Sequence, residues 1–138
     1  MRTTHEVLLV VYRPGPDFLV LLRSPETYGY WHLVAGGIES GEEPAEAALR
    51  ELEEETGLGG PPRFEPLALE LGYRRPRGGV WITLHPFVVE APPGWEPTLN
   101  EEHVDYRWCS EREAEELLAY PEPREALRFV ALELGAAA

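Results

Sequence analysis

From residue 7 onward, short apolar runs alternate with turn-forming clusters. Residues 7–12 (VLLVVY) are continuously apolar and rich in branched side chains, the pattern of a strand buried on both faces. Arg13-Pro14-Gly15-Pro16-Asp17 reads as a turn, and residues 18–22 as the second arm of a hairpin. A loop over 24–30 leads to a short third strand over 31–34, ended by Ala35-Gly36-Gly37. The period then changes. Over 42–56, Ala45, Ala48, Leu49 and Leu52 recur at helical spacing. Pro44 stands near the start, where a missing N–H costs nothing, and Gly57 is placed to close the helix in a left-handed cap. Residues 64–73 and 80–90 read as two longer strands joined by a basic loop over 74–79, and 104–108 as a last strand. Ser110 and Glu113 have capping-box spacing for a helix running to Leu118. The Pro121/Pro123 pair predicts a break before a final helix over 124–134, with 135–138 a frayed tail. These elements predict a single domain over 1–138 of α+β class, with a mixed β-sheet sandwiched between helices in an α/β/α arrangement.

Composition narrows the function. The chain is 43% hydrophobic and 27% charged, as expected of a soluble globular protein, and no apolar run approaches the roughly 20 residues of a membrane helix. It begins without a signal-peptide layout and has one cysteine, Cys109, which predicts a cytoplasmic protein with neither disulfide nor cysteine metal cluster. The net charge of −13 argues against a nucleic-acid backbone or an anionic membrane as the main partner. All 12 basic residues are Arg, so a phosphate-binding P-loop, which ends in Gly-Lys-Ser/Thr, is excluded. Fourteen prolines, one Asn and no Gln fit a heat-adapted protein, although a GC-rich genome biases composition the same way. The four histidines show no zinc spacing, and no Gly-x-Ser-x-Gly elbow suggests a serine hydrolase.

The chemistry concentrates in residues 36–58, GGIESGEEPAEAALRELEEETGL. Between 42 and 55 there are seven Glu and one Arg. A solvated helix face is the plain reading of such a run, but two features oppose it. Glu51, Glu54 and Glu55 stand at i, i+3 and i+4, where like charges on one face destabilise a helix. Glu53, Glu54 and Glu55 also fall in the last turn, where the helix dipole disfavours anions. Two local rules broken at one place mark a functional site. A hard divalent cation resolves both: Mg²⁺ takes oxygen ligands and keeps positions open for substrate phosphates. Gly36 and Gly37, lacking Cβ atoms, let backbone carbonyls approach the same ion.

The segment resembles the Nudix hydrolase signature without a gap: Gly36, Glu42, Arg50-Glu51-Leu52, Glu54-Glu55 and Gly57-Leu58, nine specified positions at fixed spacing. The resemblance implies a Nudix α/β/α sandwich and Mg²⁺- or Mn²⁺-dependent hydrolysis of a nucleoside diphosphate linked to another group. Carried over by position, it implies that Glu51, Glu54 and Glu55 are metal ligands, with the Gly36 carbonyl as a further one. Arg50 then orients the glutamates, and Glu42 and Gly57 are structural. Water attacks one phosphorus in line, and a carboxylate takes its proton: Glu54, or Glu101 or Glu102 of the late loop.

Substrate choice is less marked. Glu102-His103-Val104, Tyr106 and Trp108, followed by Arg124, Ala126 and Phe129, resemble the C-terminal part of bacterial dihydroneopterin triphosphate/dATP pyrophosphohydrolases of that family. The loop over 72–79 is shorter than in that group. A base or pterin ring needs an aromatic or guanidinium plane, so Arg23, Tyr28 and Trp31 are the expected substrate contacts, with Tyr30 a further candidate. Trp31 also reads as a core residue. The leading expectation is a nucleoside or pterin triphosphate yielding a monophosphate and pyrophosphate. Hydrolysis of dinucleoside polyphosphates or ADP-sugars, and an inactive nucleotide-binding module, are the alternatives. A small nucleotide-like molecule is thus the expected partner, with monomer and homodimer both open.

Overall fold

The computed structural model describes residues 3–137; Met1, Arg2 and Ala138, at the outer ends of the expected N-terminal segment and tail, lie outside the described residues. Eight strands form one sheet: β1 (His5–Arg13), β2 (Asp17–Arg23), β3 (Trp31–His32), β4 (Val34–Gly37), β5 (Arg63–Pro66), β6 (Leu71–Arg74), β7 (Trp81–Glu90) and β8 (His103–Cys109). Three helices cover it: α1 (Pro44–Thr56), α2 (Glu111–Leu117) and α3 (Pro121–Ala137). The path β3-β2-β1-β7-β5 carries β4 on β1, β6 on β7 and β8 on β2. Among the described strands only β1 and β7 run parallel, Leu9 opposite Phe87, so the sheet is mixed.

The continuous apolar run of β1 follows from its position. Val7, Leu9 and Val11 pack under Ala47, Ala48 and Leu52 of α1, while Leu8, Val10 and Tyr12 face Ala114, Leu118, Ala126, Leu127 and Val130 on the α2 and α3 side. Each face of the strand has its own core, so no polar position is tolerated between Val7 and Val11. This is the expected helix–sheet–helix sandwich.

Several local expectations are corrected. Gly36 and Gly37 do not end the third strand but lie inside β4, paired with Val7 and Glu6. The run over 64–73 breaks into β5 and β6, because β7 takes Pro66 opposite Phe87 and Leu71 opposite Leu84 and residues 67–70 leave the ladder. The break before the final helix falls at 118–120, and Pro121 and Pro123 lie inside α3 rather than ahead of it, in its first turn, where N–H groups lack intrahelical acceptors anyway. The helix then continues through Gly135 to Ala137 rather than fraying at 135. On α1, Ala45 and Leu49 are exposed, and the buried face is Ala47, Ala48, Leu52, Glu55 and Thr56. The helix begins at Pro44 rather than at 42, capped by Glu43 in a reciprocal box with Glu46. Gly57 closes it at φ 78°.

Candidate active site

The turn of chain before α1 is tied to the helix by one guanidinium. Arg50 donates Nε to Glu42 Oε2 at 2.7 Å and Nη2 to Glu42 Oε1 at 2.9 Å, a bidentate pair. Its remaining hydrogens reach the Gly37 carbonyl at 3.0 Å, Glu51 Oε1 at 2.8 Å and Glu54 Oε2 at 3.3 Å. The guanidinium, with the Glu39 backbone N–H, holds the Glu42 carboxyl down at about 2. Arg50 thereby fixes β4, the pre-helix turn and two glutamates of α1 in one register.

Gly36 shows why this register admits no side chain. A Cβ there would stand 2.2 Å from Glu51 Cδ and 2.3 Å from its Oε1. The Glu51 carboxylate lies directly against the backbone of β4, and only glycine allows it.

One helical turn on, Glu55 is placed by the apolar pattern. Ala48, Leu52 and Glu55 follow one another at i, i+4 and i+7, so the face that packs Leu52 into the core also carries Glu55 inward. Its side chain is 2% exposed, and Oε2 has no hydrogen-bond partner. Burial, then the hydrogen bond and charge of Glu51, then the charge of Glu102 push this carboxyl up to about 10; the Ala35 backbone opposes them. Across the gap, Nε2 of His103 lies 3.8 Å from Glu55 Oε1. That imidazole is also buried, both ring nitrogens are unpartnered, and burial with the nearby Arg23 and His32 lowers its pKa to about 4.

A cleft of about 590 Å³ opens over these groups. Gly36, Gly37, Glu51 and Glu102 line one part, and Arg23, Tyr30, Tyr73 and Tyr120 another. The Tyr30 and Tyr120 rings meet edge to face, 5.2 Å between centroids, and the Arg23 guanidinium lies 5.4 Å from the Tyr30 centroid. The loop bearing Glu102 is pinned to the end of β2 by Ser24 N–H donating to the Glu102 carbonyl at 2.8 Å. Tyr73 donates its hydroxyl to Glu6 at 2.8 Å, and burial with that bond raises its pKa.

Of the residues singled out from the sequence, Gly36, Glu51, Glu102 and Arg23 line this cleft, with Glu55 buried beside Glu51 and Glu102. Glu54 stands apart, its side chain 54% exposed, and accepts a hydrogen bond only from Arg50. Tyr28, expected as a ring platform, is 90% exposed and lies outside the cleft; its left-handed φ of 75° turns the chain after the short 3₁₀ segment Pro25–Thr27. Trp31 is also outside it, packed against the α2 and α3 side with Arg107 5.1 Å from its ring centroid. Tyr120, Glu122 and Glu6 carry no local sequence signal, and His103 is marked only as part of the stretch that carries the resemblance. They reach the site only through the tertiary placement of β1, β8 and the start of α3.

The donor set fits a divalent cation. Among the described residues no three His, Cys, Asp or Glu side chains already converge as a ligand cage. Hard oxygen donors nonetheless gather there, one buried oxygen has no partner, and a Cβ-free strand admits a carboxylate onto its backbone. Glu51 and Glu55 share a proton's worth of repulsion that a cation removes. No helix among the described residues is long and apolar enough to cross a membrane.

Comparison with known proteins agrees with this geometry. The family model of the NUDIX domain matches residues 2–130. The chain is 28% identical over 138 residues to a dihydroneopterin triphosphate diphosphatase of Haemophilus influenzae, covering 92% of this chain and 87% of that protein. It is 37% identical over 137 residues to an octanoyltransferase of Myxococcus xanthus; that match covers 93% of this chain but spans only 36% of the relative's length. A Caenorhabditis elegans Ap4A hydrolase structure superimposes with TM-score 0.81 at 24% identity, covering 96% of this chain and 98% of that one, a likeness of fold. The chain therefore belongs to the Nudix family and is a hydrolase acting on phosphoanhydride bonds.

Proposed function

We propose that this chain hydrolyses a (deoxy)nucleoside or pterin triphosphate to a monophosphate and pyrophosphate, with Mg²⁺ or Mn²⁺ as cofactor. The observation that carries the reading is the partnerless, buried Glu55 oxygen beside Glu51, under a cleft walled by tyrosines and Arg23. Glu51 and Glu55 would hold the cation, with the Gly36 carbonyl and Glu54 as further ligands. When bound, the cation supplies charge neutralisation of the phosphates and acidification of water. Arg50 keeps Glu51 and Glu54 oriented through its hydrogen bonds. Glu102, at the cleft wall, takes the proton from the attacking water. Arg23 and the Tyr30/Tyr120 pair receive the phosphates and the ring.

A panel of nucleoside triphosphates, dihydroneopterin triphosphate, dinucleoside polyphosphates and ADP-sugars with Mg²⁺ or Mn²⁺, products identified by mass, tests this. Release of pyrophosphate supports it. Release of two nucleotides would support the dinucleoside polyphosphate alternative instead. Binding without turnover of any of them would overturn both.

A further inference from the structure

Three buried side-chain atoms among the described residues lack any hydrogen-bond partner: Glu55 Oε2 and both ring nitrogens of His103. All three belong to one pair of side chains, 1% and 2% exposed, too enclosed for solvent to satisfy them. The pairing of β8 with β2 explains how His103 comes to be there. Leu21 pairs with Tyr106 and Leu22 with Asp105, but Arg23 pairs with His103, so Val104 is an extra residue in β8. One inserted residue reverses which face the next side chain takes. Without it, His103 would lie on the face of Asp105; with it, His103 shares the face of Leu21 and Tyr106, the face packed under α1.

We propose that His103 is a positioning residue for the acidic cluster, its neutral imidazole donating Nε2–H to Glu55 Oε1 and so leaving Oε2 as the oxygen free to take the cation. The 3.8 Å between Nε2 and Oε1 is a few tenths of an ångström beyond a hydrogen bond, and the neighbouring groups offer no better acceptor. Arg23 can only donate, and His32 has its Nδ1 committed to the Leu33 carbonyl at 2.9 Å. Held by one oxygen, the carboxylate cannot rotate about its own axis, which is what an oriented ligand requires. The role needs no change of protonation. It rests on the proposed cation-dependent hydrolysis.

The test compares His103→Leu, which keeps the volume and removes the donor, with His103→Gln, whose side-chain amide nitrogen can stand in for Nε2. Mn²⁺ affinity is measured without substrate by electron paramagnetic resonance, alongside kcat and KM. The Leu variant is expected to lose about 10–100-fold in Mn²⁺ affinity and in kcat, with KM little changed, and the Gln variant to recover most of both. Should the Leu variant fail to fold, His103→Asn, whose amide is too short to reach, replaces it against Gln. Equal loss in Leu (or Asn) and Gln, or no loss in either, overturns the proposal while leaving the hydrolase reading intact. A wild-type chain that binds no Mn²⁺ and turns over no phosphoanhydride overturns both.

Discussion

Glu55→Gln separates what Glu55 costs the fold from what it does for a cation. The carboxyl is 2% exposed, with one oxygen unpartnered, and its pKa is pushed from 4.5 up to about 10. In the folded chain it keeps its proton through neutral pH; in the unfolded chain it loses it near 4.5. Between those limits the folded state binds the extra proton, so metal-free stability falls as pH rises from about 4.5 toward 10. Each pH unit costs up to about 1.4 kcal/mol, which sets a ceiling of roughly 3 kcal/mol at pH 7. Glutamine has no proton to lose and can donate to Glu51 as the protonated acid does. An unfolding entropy of roughly 2.1 cal/mol/K per residue gives about 0.3 kcal/mol/K for this 138-residue chain. In EDTA at pH 7 the substitution should therefore raise Tm by up to about 10 °C, and by less at pH 5. Millimolar Mg²⁺ or Mn²⁺ should raise the wild-type Tm and leave the variant's unmoved. Differential scanning calorimetry from pH 5 to 9, with EDTA and then with cation, reads both effects. A variant that melts at or below wild type in EDTA at pH 7, or still gains from the cation as wild type does, refutes the reasoning.

Other perturbations probe the neighbouring groups. Gly36→Ala puts a Cβ 2.2 Å from Glu51 Cδ, so steady-state kinetics should show at least about a tenfold loss of kcat; unaltered kcat would mean the carboxylate can move aside freely. Glu54→Gln changes an exposed side chain bonded only to Arg50, so Tm should hold while kcat drops at least about 10²-fold. Near-normal turnover would remove Glu54 from the mechanism. Glu42, held at about 2 by Arg50, contributes stability that is present above its unfolded value of 4.5 and lost as pH falls through about 2. Circular dichroism on acidification should show Glu42→Gln lacking that part of the acid transition.

Local patterns were enough for the elements that depend on their own residues. The apolar run of β1, the spacing of Glu51, Glu54 and Glu55, the Gly57 cap and the Ser110 box are set by backbone periodicity and by hydrogen bonds within a turn. The helix start was misread by two residues, because the turn before it is held by Arg50 and Glu42 rather than by helical bonds, and the strand over 64–73 as one piece, because β7 decides where the ladder stops. Which acid goes inside was a matter of packing: α1 lies on β1 and β4 through Ala47, Ala48 and Leu52, and that contact carries Glu55 in and leaves Glu54 out. The cleft walls come from segments far apart in the chain. Tyr30 meets Tyr120 only because the chain after α2 bridges Trp31 at Leu118, and Tyr28, two residues away, is turned to solvent by its own left-handed backbone, which no spacing rule foretells. His103 reaches Glu55 through a one-residue slip between β8 and β2. Charge at helical spacing is a property of one segment and can be read from it; burial, close approach and strand register are properties of pairs of segments, and exist only once the chain has folded.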